Sequence, residues 1–89
     1  MEATYRRSPG IESSAMRLES LLFDPETNKF CLLNETATFL WERLETPATA
    51  AQLAEDLCGA FDGVETAEAR RHVEELLGRL GGLALIESE

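Results

Sequence analysis

Basic residues are scarce in this chain: 8 Lys and Arg stand against 17 Asp and Glu over 89 residues, a formal charge of −9. Such a surface repels a phosphate backbone, so nucleic acid is not an expected partner and a protein or peptide is. Cysteine is also sparse. Cys31 and Cys58 lie far apart with no paired spacing, which excludes a disulfide framework and a zinc site and leaves each as a reduced, half-buried thiol serving as a small hydrophobe. No apolar run approaches the ~18 residues of a membrane span, and Met1-Glu2-Ala3-Thr4-Tyr5-Arg6-Arg7 lacks the apolar stretch of a signal peptide. A cytoplasmic protein without a membrane partner is the expectation. A Gly-rich phosphate loop, a His/Glu metal spacing and a nucleophile motif are all missing, so no catalytic residue, metal ligand or cofactor is assigned and the chain is not read as an enzyme. The single histidine, His72, falls beside the buried stripe of a predicted helix, within i, i+4 reach of Glu68. It reads as a half-exposed side chain paired with a carboxylate rather than as a catalytic base.

What is present is ordinary globular material: 44% of the residues are hydrophobic, enough for one domain with one small core. Residues 1–8 are polar, carry Arg6 and Arg7, and are expected to be a flexible terminus; the domain is then 9–89. Pro9-Gly10 marks a turn, and Ile11 to Ser14 reads as a short strand. Arg17 to Phe23 alternates and then runs apolar, as a second strand does. Asp24-Pro25-Glu26-Thr27-Asn28 has the chemistry of a hairpin loop. Lys29 to Leu33 is therefore a third strand, antiparallel to Leu18–Phe23.

The chain turns from strand to helix at Leu33-Asn34-Glu35-Thr36-Ala37. Asn34 offers a side-chain oxygen to free backbone N–H groups, and Glu35 puts negative charge at the positive end of the helix. Ala37, Leu40, Trp41 and Leu44 recur at helical spacing and define its buried face, which makes Trp41 a core residue rather than a binding platform. Thr49-Ala50-Ala51-Gln52 has the form of a capping box. The second helix follows it, with Leu53, Ala54, Leu57, Cys58 and Phe61 buried and Asp62-Gly63 as its stop. A third helix is expected to be capped by Thr66, to bury Ala69, Val73, Leu76, Leu77 and Leu80, and to stop at Gly81-Gly82, with Glu75 and Arg79 as an i, i+4 pair. Leu83 to Ile86 is a short extended tail.

Grouped strands followed by grouped helices predict an α+β fold: a winged-helix-like domain with a three-stranded antiparallel sheet followed by three helices. Within the helices of this acidic chain Arg70 and Arg71 are the only adjacent bases, and they point away from the buried stripe. They are weighed equally as a solvated face and as a ligand contact.

Leu21-Leu22-Phe23-Asp24-Pro25, Leu33-Asn34-Glu35-Thr36-Ala37, Leu40-Trp41, Thr49-Ala50-Ala51-Gln52-Leu53 and Val73-Glu74-Glu75-Leu76-Leu77 before Gly82-Leu83 together resemble the PqqD-like proteins. These are the recognition elements (RRE) for ribosomally made, modified peptides (RiPPs). The likeness runs from about Pro9 to Ile86, and its most specific part is the Leu-Asn-Glu-Thr-Ala junction. The resemblance implies a non-catalytic peptide chaperone that binds the leader of a precursor peptide and presents it to maturation enzymes. It also implies that the leader adds as a strand to the edge of the third strand and lays side chains into a cleft between that strand and the third helix. Carried onto this chain, the site is Lys29, Phe30, Cys31, Leu32 and Leu33, walled by Arg70, Val73, Glu74 and Leu77; Arg71 joins Arg70 there as the adjacent bases of an acidic chain, whose natural partner is a leader carboxylate. The family often has a Gly between its first two helices, where this chain has Glu45-Thr46-Pro47-Ala48. The Asn-Glu-Thr junction followed by Trp41 resembles the freestanding lasso-peptide type, whose partners are a leader peptidase and a cyclase. The alternative is the PqqD type, whose partner is a radical-SAM enzyme. Rival readings are a winged-helix DNA-binding regulator, against which the charge counts, and an oligomerisation domain whose strand edge pairs with its own copy.

Overall fold

Leu22 and Leu33 from adjacent strands meet Leu40, Trp41, Leu53, Leu57, Val73, Leu80 and Leu85 in one buried cluster, so the core lies between a sheet and three helices. The computed structural model describes residues 2–89. The elements are β1 (Thr4–Arg7), β2 (Glu12–Met16), β3 (Glu19–Asp24), β4 (Lys29–Leu33), α1 (Glu35–Arg43), β5 (Ala48–Thr49), α2 (Ala50–Ala60), α3 (Thr66–Gly82) and β6 (Ile86–Ser88). The expected α+β class and the β2-β3-β4 meander are present. A second three-stranded sheet, ordered β5-β1-β6, joins them. No described helix is long and apolar enough to cross a membrane.

That second sheet corrects the reading of residues 1–8 as a flexible terminus, of which Met1 lies outside the described residues. Tyr5, Arg6 and Arg7 pair with Ser88, Glu87 and Ile86, and Thr4 and Tyr5 pair with Thr49 and Ala48. Arg6 also bridges Glu87 and Glu89 at 3.1 and 3.3 Å. Arg7 Nε donates to the Trp41 carbonyl at 3.0 Å, and its guanidinium lies 4.6 Å from the Trp41 ring centroid. The Trp41 carbonyl belongs to the last turn of α1, where it also accepts from Leu44 N–H at 3.2 Å and the negative end of the helix dipole favours a cation. Partial burial lowers the Arg7 pKa, and the charges of Glu45 and Glu42 oppose that shift. Composition hid this strand, because its partners are a two-residue segment and the far end of the chain.

The helix starts follow local chemistry. Ala37 N–H donates to Asn34 Oδ1 at 2.9 Å, and the capping box is complete, with Gln52 N–H on Thr49 Oγ1 at 3.1 Å and Thr49 N–H on Gln52 Oε1 at 2.9 Å. Thr66 is not the cap of α3. Glu65 occupies that position, with no side-chain hydrogen bond, and Thr66 is the first helical residue. Nor does Gly81-Gly82 stop α3, which passes through both to Leu83. The reversal falls on Ala84, at φ +59°. Leu85 N–H bonds the Leu80 carbonyl at 2.9 Å and Ala84 N–H the Gly81 carbonyl at 3.1 Å, the paired bonds of a Schellman motif. Leu80 and Leu85, the residues this motif brings together, are both fully buried in the core cluster.

Two outcomes follow for stability. Removing residues 2–8 uncovers Ile86 and strips β6 of its partner, so the urea midpoint should fall by the equivalent of about 2 kcal/mol or more; a flexible tail would leave it unchanged. Ala84→Gly relieves a left-handed backbone and should raise stability by about 0.5–1 kcal/mol at constant m-value.

Candidate functional site

The two-residue turn Arg17-Leu18, with Arg17 at φ +53°, joins Met16 to Glu19, which are directly paired. The residues flanking such a turn form a hydrogen-bonded pair, and bonding then alternates along the ladder. Glu19, Leu21 and Phe23 thus direct their backbone groups at β2, and Ser20, Leu22 and Asp24 direct theirs at β4. The partners of these last three are Leu33, Cys31 and Lys29. Phe30 and Leu32 are left with N–H and C=O pointing off the free edge of β4. Their side chains are exposed as well, at 62% and 54%, while Cys31 and Leu33 are buried in the core at 6% and 0%.

The sheet has a second edge, β2, and the contrast between the two is informative. β2 reads Glu-Ser-Ser-Ala-Met and is exposed throughout, the polar character with which soluble proteins blunt an edge. β4 carries one charge, Lys29, and an exposed phenylalanine and leucine.

Where β4 ends, a cleft begins. It is about 330 Å³ and runs from Asn34, Thr36, Ala37 and Leu40 across to His72, Glu75, Leu76 and Arg79 of α3. Leu40 and Leu76 are buried parts of its floor, and the polar residues form its rim. The α3 positions 72, 75, 76 and 79 follow helical spacing and flank the core stripe on one side. Among the described residues the ion pairs are those of Arg6 and that between Arg43 and Asp56. Neither Glu68 with His72 nor Glu75 with Arg79 is one, so the rim charges of the cleft are held by no such bridge.

The residues expected from sequence divide. Lys29, Phe30, Cys31, Leu32 and Leu33 form the edge strand, with Cys31 and Leu33 turned into the core. The helix set is not brought together in one place. Val73 and Leu77 are buried, at 0% and 7%, because they belong to the stripe that packs α3 onto the rest of the domain. Arg70 lies on the opposite flank, in a groove with Ala51, Ala54, Glu55, Cys58 and Thr66. Arg71 and Glu74 are exposed and do not line the cleft. The cleft wall is instead His72, Glu75, Leu76 and Arg79, a set displaced by two residues from the expected one and so on the other flank of the buried stripe. Its signal was present in the 72, 75, 76, 79 spacing, but only the packing angle of α3 selects which flank meets α1. Among the described residues no group of His, Cys, Asp and Glu is placed to hold a metal ion.

The sequence model of the family described as Coenzyme PQQ synthesis protein D (PqqD) matches residues 19–86. No curated protein matches. Two solved structures share the fold. One is TbiB1 in complex with the TbiA(beta) leader peptide, at a TM-score of 0.82 and 20% identity, covering 92% of this chain and 94% of that one. The other is a lasso peptide synthetase B1 complexed with the leader peptide, at a TM-score of 0.78 and 24% identity, covering 93% and 96%. With the family match running from the start of β3 into β6 and these architectures superimposing along nearly their full lengths, the chain belongs to the PqqD family.

Proposed function

We propose that this protein is a non-catalytic recognition element that binds the leader of a ribosomally made precursor peptide by strand addition to β4 and delivers it to maturation enzymes. The observation that carries this reading is the unprotected edge of β4, with the N–H and C=O of Phe30 and Leu32 directed outward beside the α1–α3 cleft. Strand addition supplies backbone hydrogen bonds for affinity, and neighbouring pockets supply specificity. Both similar solved structures are leader-peptide complexes, which supports the same ligand class here and favours the lasso-peptide pathway, with a leader peptidase and cyclase as partners in the cytoplasm. In this reading the chain changes no covalent bond of the precursor; it raises the local concentration of the substrate at an enzyme.

Leu32→Pro removes one outward N–H while sparing the ladder to β3, since Leu32 does not bond there. A fluorescent leader peptide from the cognate precursor should bind this variant at least about tenfold more weakly, with the circular dichroism spectrum unchanged. Equal affinity in a folded variant would place the peptide elsewhere.

The cleft gives a second contrast. Arg79→Ala should weaken the leader by up to about fivefold, on the order of 1 kcal/mol or less for a partly exposed contact, and the loss should shrink at high salt. Arg70→Ala with Arg71→Ala should leave affinity unchanged. The reverse ranking in the same titration would restore the arginine pair to the site.

A further inference from the structure

We infer that the peptide site has a second, outer half: the residues of the added strand that pair with Phe30 and Leu32 are apolar, so this protein selects peptides with hydrophobic side chains at positions i and i+2. The inference rests on the strand-addition reading and deepens it by naming what the ligand must carry on the face turned away from the core.

Register is the first support. Directly paired residues in a sheet place their side chains on the same face. Phe23 pairs with Phe30 and Leu21 with Leu32, and all four lie on the outer face, opposite the buried Leu22, Cys31 and Leu33. The Phe23 and Phe30 rings have centroids 4.7 Å apart. Two apolar ladders therefore cross the sheet. Followed toward β2 they end on polar residues, because Phe23 faces Glu12 and Leu21 faces Ser14. Followed toward β4 they become more exposed and stop at the free edge.

Hydrogen bonding is the second support. Phe30 and Leu32 are the residues whose backbone groups face off the edge, so an incoming strand forms hydrogen-bonded pairs with these two. Its residues opposite them then stand one strand spacing, roughly 4.8 Å, from the exposed phenylalanine and leucine. The residue between them turns to the other face, the side on which the cleft opens. One pleated strand thus presents two apolar groups outward and one group inward, and its bound state covers the two exposed side chains.

A second copy of the chain is the competing occupant. Each copy carries −9, so edge-to-edge association works against charge repulsion that an extended peptide of low or positive charge avoids. Met16 and Leu18, 45% and 61% exposed, lie at the β2–β3 turn, beyond the reach of a strand added at β4, and form no part of this site.

The experiment is selection of displayed random dodecapeptides on the immobilised full chain, in parallel with the variant Phe30→Thr/Leu32→Thr. Threonine keeps strand preference and removes most of the apolar surface. Peptides enriched on the unaltered chain are expected to carry apolar residues at i and i+2, to compete with one another, and to bind the double variant about tenfold or more weakly. Peptides enriched on the variant should lack the pattern. Enrichment without that pattern, or the same pattern on both proteins, overturns the outer half and leaves strand addition intact. Failure to enrich any peptide, or enriched peptides that bind folded Leu32→Pro as they bind the unaltered chain, overturns strand addition itself. A sedimenting dimer that the threonine pair dissociates, with no peptide enriched, assigns the edge to a second copy and overturns both.

Discussion

The parity of β4 is the constraint on which the rest of the molecule depends. Side chains alternate across a strand, so burying Cys31 and Leu33 against the helices forces Phe30 and Leu32 outward, and a slip by one residue would exchange the two sets. Parity is pinned at both ends. Upstream, the hairpin loop holds its register through Asn28 N–H on the Asp24 carbonyl at 2.7 Å and Glu26 N–H on Asp24 Oδ1 at 3.0 Å. Downstream, Asn34 caps α1 while the Thr38 hydroxyl reaches the Leu33 carbonyl at 3.4 Å. The strand is thus fixed between a turn and a helix, which lowers the ordering cost of the strand addition proposed above.

An edge so exposed works against solubility in an isolated domain, since flat apolar edges pair with other chains. Here it is offset from outside the strand. Acidic residues cover the helices and the β2 edge is polar, so approach of a second copy, itself carrying −9, is opposed at long range. The same charge distribution explains why the winged-helix shape does not imply DNA binding: the third helix exposes Glu68, Glu74 and Glu75 alongside its three arginines. Fold and function separate at the surface, as the physics of sites requires.

The second sheet changes the meaning of the chain ends. Thr4 and Glu89 exchange backbone hydrogen bonds of 3.1 and 2.8 Å, and Arg7 ties the same strand to the last turn of α1. The segment that looked least structured therefore braces α1 from behind, and α1 is the helix whose first turn forms one wall of the cleft.

Local chemistry was enough to determine the β2-β3-β4 meander, the Asn34 and Thr49 caps and most of the apolar stripes of the three helices, with Cys58 and Phe61 only partly buried. Each depends on residues close together in the chain: alternation, a hairpin loop, a side-chain oxygen beside free N–H groups. The edge role of Lys29 to Leu33 came from the family resemblance. Tertiary structure decided the rest. Thr4-Tyr5-Arg6-Arg7 becomes a strand because Ile86–Ser88 and Ala48–Thr49 supply its partners, and no local pattern encodes a partner eighty residues away. The reversal after α3 falls on Ala84, where the closing bonds place Leu80 and Leu85 in the buried core, rather than on Gly81-Gly82. His72, Glu75, Leu76 and Arg79, rather than Arg70 and its neighbours, line the cleft because a helical wheel gives two flanks to every buried stripe, and only the packing of one helix on another chooses between them.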